Sequence, residues 1–229
     1  MFMGGFRSDM TGTKATFLEE KCQRRHQTFV RFDYSGHGQS SGQFVACNLT
    51  TWLRDAEAVF DELTKGPQII IGSSMGGWLA MLLALSRPQR LKGLILLAPA
   101  PDFSEDIYKK EFGEEERRHL AKKGLIYRES GYGDPYPLTL GLFNDGRKHL
   151  LLDKHSAYSC PVRIIHGKKD PDVPWQKTSR ILEQSASPDI KAIFVEDGDH
   201  RLSRPQDLSL IDETLVEMSQ LQRLEAAKV

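Results

Sequence analysis

The sequence predicts an α/β fold, with a mostly parallel central sheet flanked by helices. Short apolar runs typical of buried strands alternate with segments of helical spacing along most of the chain. The strand runs are apolar at successive positions, as expected for parallel strands that are covered on both faces. The length of 229 residues suits one domain. The predicted strands cover residues 28–33, 68–71, 91–97, 162–166 and 191–195.

Four helices are predicted from apolar residues spaced three or four positions apart. They cover residues 51–64, 76–86, 178–185 and 208–223. The chain opens on MFMGGF (1–6), which is typical of the end of a buried strand running into a turn. We therefore expect a truncated N-terminal edge of the sheet. An uncovered edge strand favours pairing with another chain, so a homodimer is one assembly that this edge allows.

Residues 101–158 interrupt this alternation. The segment is long, charged and uneven, with an expected solvated helix at 105–123 and an expected hairpin around Asn144-Asp145-Gly146. Long inserted segments are commonly functional. We expect a cap, or lid, inserted into a core formed by residues 1–100 and 159–229. An ordinary surface excursion is the alternative interpretation.

Charge and cysteine content argue against several classes of protein. The 31 basic and 31 acidic side chains balance, whereas nucleic-acid binding requires a basic surface. No apolar run reaches the roughly 20 residues that span a bilayer. Cys22, Cys47 and Cys160 lack CxxC spacing, which fits the reducing cytoplasm better than a disulfide scaffold or a thiolate zinc site. We expect no metal and no cofactor, because the sequence has no ligand-spaced cluster and no GxxxxGK[ST] phosphate loop.

The sequence GSSMGG (72–77) fits the G-x-S-x-G pattern, with a predicted strand before it and a predicted helix after it. This is the context of a nucleophile elbow, in which a serine on a tight turn is exposed to substrate. Ser74 occupies the central position, and Ser73 is the rival serine. The N–H groups that begin the following helix would face the negative charge that develops during acyl transfer.

A serine nucleophile needs a general base, which an acid orients. After an elbow, the acid and then the base are expected in loops that follow later strands. Asp170 and Asp172 follow one such predicted strand, and His200 follows the next. Spacing does not separate the two aspartates, because Asp172 could instead cap the helix that comes after it. Two other histidines are expected to be structural: His166 at a strand end, and His37 in a glycine-rich turn with hydrogen bonds to the backbone.

Acyl transfer also needs donors for an oxyanion. The backbone N–H of Met75, directly after the nucleophile, is one candidate. The second should lie in an early loop, and the N–H of Phe6 is our choice because two glycines precede it. Trp78 and Trp175 are candidate walls of a substrate pocket, although core packing explains Trp78 equally well.

Several motifs stand in one order along the chain: GFRSDM (5–10), RFDYSGHG (31–38), GSSMGGW (72–78), CPV (160–162), HGKKD (166–170) with VPW (173–175), and GDHR (198–201). In this order they resemble the serine hydrolases of the α/β-hydrolase fold. The resemblance extends over nearly the whole chain. It is strongest to the branch that contains the mitochondrial palmitoyl-protein thioesterase, also described as an acyl-glucuronide esterase, and its bacterial relatives. The relatives have further strands before the position of Met1.

This resemblance implies that Ser74 is the nucleophile, Asp170 the acid and His200 the base, and it favours Asp170 over Asp172. It also implies hydrolysis of a carboxylic ester or thioester, a small-molecule acyl substrate, through an acyl-serine intermediate. Two alternatives stay open. One is a ligand-binding protein on a hydrolase scaffold, because a fold alone does not determine function. The other is an acyltransferase that passes the acyl group to an alcohol or amine.

Overall fold

The computed structural model describes residues 1–130 and 133–226. In chain order, the elements are β1 (Phe2–Met3), α1 (Thr13–Arg24), α2 (Leu49–Leu63), β2 (Gln68–Ser73), α3 (Met75–Ser86), β3 (Leu91–Leu97), α4 (Phe103–Asp106), α5 (Glu114–Lys123), β4 (Leu125–Ser130), β5 (Gly133–Thr139), α6 (Leu140–Gly146), β6 (Ser156–Ala157), β7 (Val162–Gly167), α7 (Gln176–Gln184), β8 (Ser185–Ala186), β9 (Ile190–Val195) and α8 (Pro205–Ala226). The centre of the described structure is a five-stranded parallel sheet in the order β1-β2-β3-β7-β9.

Helices cover both faces of the sheet. Because successive residues of a strand point to opposite faces, neighbouring strand residues pack against different helices. Ile70 belongs to a cluster with residues of α2, α3 and α7, whereas its neighbour Ile71 belongs to a cluster with residues of α1 and α8. Leu96 and Leu97 divide in the same way on the neighbouring strand. The predicted α/β class and parallel sheet are therefore confirmed.

The early part of the chain differs from the prediction in two places. Residues 28–33 do not form a regular strand: in the described part of the chain, Arg31 bridges to Phe2, and the Phe2 N–H donates to the Val30 carbonyl oxygen. Helix α1 was not predicted. Its buried residues Ala15, Leu18 and Cys22 are spaced three and four positions apart, which is the signal that indicates it.

Between β3 and β7 the chain forms α4, α5, α6 and the antiparallel hairpin β4–β5. The expectation of one helix over 105–123 is wrong. The helix changes to a π-helix at Ile107–Glu111, and α5 begins after Gly113, whose N–H donates to Glu116 Oε2 at 2.9 Å. The expected hairpin around 144–146 is also wrong, because these residues end α6. Residues 131 and 132 of the predicted cap lie outside the described residues.

The two ends of segment 101–158 are joined at its base. The buried carboxylate of Asp102 accepts hydrogen bonds from the N–H groups of Leu151 and Leu152, each at 2.9 Å. Lys177 on α7 donates to the Pro101 carbonyl oxygen at 2.8 Å and forms a short ion pair with Asp106. The start of the segment is therefore tied to Leu151 and Leu152 beside the carboxyl end of β3, whereas its last residues pair with β8 and lead to the amino end of β7.

In the described residues, no helix has the length and apolar character needed to cross a membrane. All three cysteines are free and buried.

Candidate active site

Ser74 forms the turn between β2 and α3, with φ of 55° and ψ of −119°. A positive φ is strained for serine, and such strain is found at functional sites that the surrounding structure fixes. Close backbone packing fixes this turn. A Cβ on Gly76 would lie 2.2 Å from the Met3 carbonyl oxygen, and a Cβ on Gly72 would lie 2.4 Å from the Gly76 carbonyl oxygen. Neither glycine position of the G-x-S-x-G pattern has room for a side chain.

Three loops at the carboxyl ends of β2, β7 and β9 bring together Ser74, Asp170 and His200. His200 Nε2 lies 3.0 Å from Ser74 Oγ, and His200 Nδ1 lies 2.7 Å from Asp170 Oδ2. Because an ionised carboxylate only accepts hydrogen bonds, Nδ1 donates to it and Nε2 accepts from the serine hydroxyl. Asp172, the alternative acid, is exposed and contributes its backbone N–H to this site.

The Asp170 carboxylate is 0% exposed and accepts four hydrogen bonds. Oδ2 accepts from His200 and, at 3.2 Å, from His166 Nε2. Oδ1 accepts from the backbone N–H groups of Asp172 and Val173, each at 2.8 Å. Burial acts to raise the pKa of Asp170, but the hydrogen bonds from the histidines and the backbone outweigh burial and hold the pKa well below its usual range. The carboxylate is therefore ionised and can stabilise a protonated His200.

His166 is fully buried behind Asp170. Its Nε2 lies 3.0 Å from the Val173 carbonyl oxygen as well as near Asp170, and its Nδ1 lies 2.8 Å from Thr178 Oγ1. Both acceptors near Nε2 require a proton on that nitrogen, so Nδ1 accepts from the threonine hydroxyl. The expectation of a structural histidine did not include this contact with the acid. Sequence spacing does not show it, because the contact depends on how the loop after β7 folds back.

The loop that carries His200 is fixed against the end of β7. Lys169 N–H donates to the Gly198 carbonyl oxygen at 2.9 Å. Asp199, next to the histidine, accepts from the Leu202 N–H at 3.0 Å. Both contacts position the imidazole without touching it.

The loop that carries Phe6 passes beside the nucleophile. A Cβ on Gly5 would lie 3.3 Å from Ser74 Cβ. Met75 is the first residue of α3, where backbone N–H groups have no partner within the helix. The N–H groups of Phe6 and Met75 therefore come from the two segments that flank Ser74. The Phe6 ring makes edge-on contacts, with centroid distances of 5.0 to 5.9 Å, to Phe44, Trp52, Phe103 and Tyr136.

Ser74, Met75 and His200 line a cavity of about 1150 Å³. The cavity lies between the carboxyl edge of the sheet and segment 101–158. Apolar side chains from both sides form part of its wall, and charged side chains lie around them. The apolar lining residues include Phe6, Ala100, Phe103, Ile107, Leu138 and Val173.

The two tryptophans do not line this cavity, which corrects the expectation of substrate-binding walls. Trp78 is 0% exposed, and its indole N–H donates to the His149 carbonyl oxygen at 3.0 Å. It is therefore a core residue that joins α3 to segment 101–158. Trp175 is half-buried and packs edge-on against Phe194, with ring centroids 5.3 Å apart.

In the part of the chain that the structure describes, one group of side chains has the proximity of metal ligands: Asp170, Asp172 and His200, whose ligand atoms lie within 4.8 Å of one another. Within this group, His200 Nδ1 is hydrogen-bonded to Asp170 Oδ2. This pairing is the arrangement of an acid that orients a base.

Comparison with known proteins gives the family of this chain. A family model described as serine aminopeptidase S33 matches residues 16–123. The mitochondrial palmitoyl-protein thioesterase ABHD10 of Mus musculus is 35% identical over 216 residues, which is 92% of this chain and 71% of the mouse protein. The chain belongs to the α/β-hydrolase family.

Two solved structures extend the comparison to three dimensions. A crystal structure of a protein from Agrobacterium vitis S4 has a TM-score of 0.91 and 40% identity, and the match covers 95% of this chain and 86% of that one. The structure of mouse α/β hydrolase domain-containing protein 10 has a TM-score of 0.89 and 33% identity, with coverage of 96% and 89%. The predictions of an α/β-hydrolase fold and of an ester or thioester hydrolase are thus confirmed.

Proposed function

We propose that this α/β hydrolase cleaves carboxylic esters or thioesters through an acyl-serine intermediate on Ser74, with His200 as general base and Asp170 as the acid that orients it. The observation that carries the proposal is the continuous hydrogen-bonded chain from Ser74 Oγ through His200 to Asp170, at 3.0 and 2.7 Å, in the wall of a large cavity.

In the acylation step, Ser74 Oγ forms a bond to the carbonyl carbon while its proton passes to His200 Nε2. The carbonyl oxygen becomes an oxyanion. When this tetrahedral intermediate collapses, the bond to the leaving oxygen or sulfur breaks, and His200 returns the proton to the leaving group. The ionised Asp170 stabilises the imidazolium while it exists.

In the deacylation step, water replaces the leaving group. His200 Nε2 takes a proton from the water as its oxygen attacks the acyl carbon, and then returns that proton to Ser74 Oγ. The products are a carboxylic acid and the free enzyme. The N–H groups of Phe6 and Met75 are the proposed donors to the oxyanion in both steps, and each donor is worth about 3 kcal/mol of the barrier.

We further propose that segment 101–158 is the cap of this enzyme and that residues 1–100 and 159–229 form its core. The carboxylate of Asp102 joins the two ends of the segment. Phe103 and Ile107, near one end, face the cavity together with the core residue Val173. An acyl chain bound between these surfaces would place its carbonyl carbon at Ser74, so the cap sets the chain length that the cavity accepts.

The first experiment is a hydrolysis series with p-nitrophenyl esters from acetate to palmitate. Ser74→Ala is the blank, and Ser73→Ala is the matched control because its hydroxyl is buried next to the nucleophile. We expect Ser74→Ala to lose several orders of magnitude of activity with an unchanged fold, whereas Ser73→Ala keeps most of it. Near-normal turnover by folded Ser74→Ala overturns the mechanism, and no turnover by the wild type favours a binding protein.

The second experiment separates thioesters from oxygen esters and hydrolysis from transfer. Acyl-CoA and S-acyl peptides extend the series to thioesters, because the similar mouse protein is named a palmitoyl-protein thioesterase. Products are analysed with and without a competing alcohol or amine. Free carboxylic acid as the main product in both conditions supports hydrolysis. An ester or amide of the added acceptor indicates an acyltransferase.

The cellular compartment and the assembly also belong to this proposal. Three free, buried cysteines suit a reducing compartment such as the cytoplasm, which is the location we propose, whereas the similar mouse protein is named as mitochondrial. Cell fractionation tests the location. A homodimer through the N-terminal edge of the sheet, where residues 30 and 31 lie against β1, stays a prediction, which light scattering of the purified protein tests.

A further inference from the structure

A buried histidine outside the proposed catalytic triad lies against the loop that carries Phe6. His37 is 4% exposed, and its Nε2 lies 3.1 Å from the backbone nitrogen of Arg7, the residue after Phe6. Its Nδ1 lies 3.3 Å from the Ser35 carbonyl oxygen. A backbone N–H only donates, so Nε2 accepts, and Nδ1 carries the ring proton that the carbonyl accepts. Both ring nitrogens therefore have suitable partners when the ring is neutral.

The environment of His37 favours that neutral form. Burial lowers the pKa of His37, and the hydrogen bond to the Ser35 carbonyl oxygen and the carboxylates of Asp33 and Asp55 offset this effect only in part. The ring is also fixed in place by edge-on contacts to Tyr34, Phe44 and Trp52, with centroid distances of 5.1 to 5.6 Å.

The residue that His37 holds is strained. Arg7 has a φ of 59°, in the left-handed region that a residue with a Cβ adopts at a cost. Such a conformation persists where neighbouring groups determine it. Among the described residues, two hydrogen bonds and one ring contact hold Arg7: its N–H donates to His37, and its guanidinium donates to the Asp134 carbonyl oxygen at 3.3 Å and lies 5.8 Å from the centroid of the Tyr136 ring.

The side chain of Phe6 shares the support of His37. Both rings pack edge-on against Phe44 and Trp52, and the centroid of Phe6 is 5.0 Å from that of Phe44. The aromatic contacts fix the side chain of Phe6, and the hydrogen bond from Arg7 to His37 fixes the peptide that follows Phe6. The Phe6 N–H belongs to the preceding peptide, whose Gly5 carbonyl oxygen accepts from the N–H and the hydroxyl of Ser8 at 3.1 and 2.8 Å. The contacts of His37 and the aromatic rings therefore constrain Phe6 from its other side and limit the direction of its N–H beside Ser74.

We propose that His37 is a positioning residue for the oxyanion hole, which it shapes by accepting the Arg7 N–H and holding the Phe6 backbone in its active conformation. This inference rests on the proposed function, because an oxyanion forms at Ser74 only if acyl transfer takes place there. His37 does not touch the substrate. Its loss therefore weakens binding of the transition state and leaves binding of the ground state nearly unchanged.

The test compares two amide variants. In His37→Gln the side-chain oxygen reaches the position of Nε2 and can accept the Arg7 N–H. In His37→Asn the side chain is too short for that bond, although it can still donate to the Ser35 carbonyl oxygen. We expect His37→Asn to lower kcat about 10- to 100-fold with little change in KM, and His37→Gln to recover most of the loss.

An inhibitor supplies a second readout. A long-chain alkyl trifluoromethyl ketone adds Ser74 Oγ to its carbonyl carbon and forms an oxyanion, while His200 takes the serine proton. Its affinity should fall in His37→Asn in parallel with kcat/KM, whereas the affinity for the carboxylic acid product should not. The proposal is overturned if kcat is the same in His37→Asn, His37→Gln and the wild type. It is also overturned if His37→Asn loses affinity for the inhibitor and for the carboxylic acid product equally, because that result indicates general damage to the fold.

A spectroscopic measurement on the wild type does not depend on any variant folding. Nitrogen-15 NMR at neutral pH should show His37 as a neutral ring protonated at Nδ1. Protonation at Nε2, or at both nitrogens, overturns the proposal because the acceptor would be absent. If hydrolysis by the wild type does not depend on Ser74, the proposed function fails. If it does and the His37 variants behave alike, this inference alone fails.

Discussion

Asp170→Asn is the substitution whose effect the structure predicts in most detail. The side-chain amide would keep the shape of the carboxylate and replace one acceptor oxygen by an NH2 donor. Oδ1 of Asp170 accepts two backbone N–H groups, which cannot become acceptors. The amide oxygen of the asparagine must therefore face these N–H groups, and its NH2 group must face both His200 and His166 Nε2.

That orientation reverses the hydrogen bond to the base. His200 Nδ1 would have to accept from the amide, so its proton would move to Nε2, the nitrogen 3.0 Å from Ser74 Oγ. A protonated Nε2 cannot take the serine proton. The same substitution in a serine-protease triad lowers kcat about 10⁴-fold, and we expect a loss of that size here. At 1.36 kcal/mol for each factor of ten, this corresponds to about 5 kcal/mol in the barrier.

The assay is kcat/KM for the best p-nitrophenyl ester of the series, with circular dichroism to establish that each variant is folded. Asp172→Asn is the matched control, because its side chain is exposed and two positions away. We expect the control to stay within about threefold of the wild type, since surface substitutions have small effects. A folded Asp170→Asn protein with more than a tenth of wild-type activity, or a large loss in the control, would refute this reasoning.

Three further predictions concern stability and reactivity. In Asp102→Asn, one of the N–H groups of Leu151 and Leu152 would face the NH2 group of the asparagine, which is also a donor. The free energy of unfolding, measured in urea, should therefore fall by about 2 kcal/mol. A loss below about 0.5 kcal/mol would contradict a stabilising role for these two hydrogen bonds. Burial raises the pKa of Cys160 to about 11, so this thiol should react with an aromatic disulfide at about pH 8 far more slowly in the folded than in the urea-unfolded protein. Equal rates would show that it is accessible. The pKa of Asp170 is lower in the folded protein than in the unfolded chain. Ionised Asp170 therefore stabilises the folded state at every pH above the pKa that Asp170 has in the unfolded chain. This contribution is lost as the pH falls towards and through the pKa that Asp170 has in the folded protein. The difference in unfolding free energy between the wild type and Asp170→Asn should therefore shrink below about pH 4, and a constant difference would contradict the shift.

The sheet and the elbow could be predicted because each has a strong local signal. Buried parallel strands are mostly apolar along their length, and the glycines around Ser74 stand in a short sequence pattern that is visible even though Gly76 is required by contact with the distant Met3. The secondary structure of segment 101–158 was harder to predict, because the apolar residues in its charged parts do not recur at a regular spacing. One signal was present there: Gly113 followed by three glutamates is typical of a helix N-terminus, and α5 begins at that point.

The histidines show where spacing stops being informative. His37 and His166 stand in a turn and at a strand end, and both have the hydrogen bonds that such places provide. Their contacts with Arg7 and Asp170 depend on the three-dimensional path of the loops. For Trp78, the sequence allowed a pocket wall and core packing equally, and burial decides for core packing.

The topology of the sheet has a consequence for how the enzyme acquires activity. β2, α3 and β3 follow one another directly, so the nucleophile can form within a local unit, whereas β7 pairs with β3 only after the whole inserted segment has been synthesised. His200 lies 126 residues after Ser74. Contacts of such long sequence separation form late, because the intervening chain must be ordered first. During synthesis on the ribosome, the turn that carries Ser74 can therefore form before His200 reaches it. Catalytic activity then reports that the last α/β unit has folded, and not merely that the chain has collapsed.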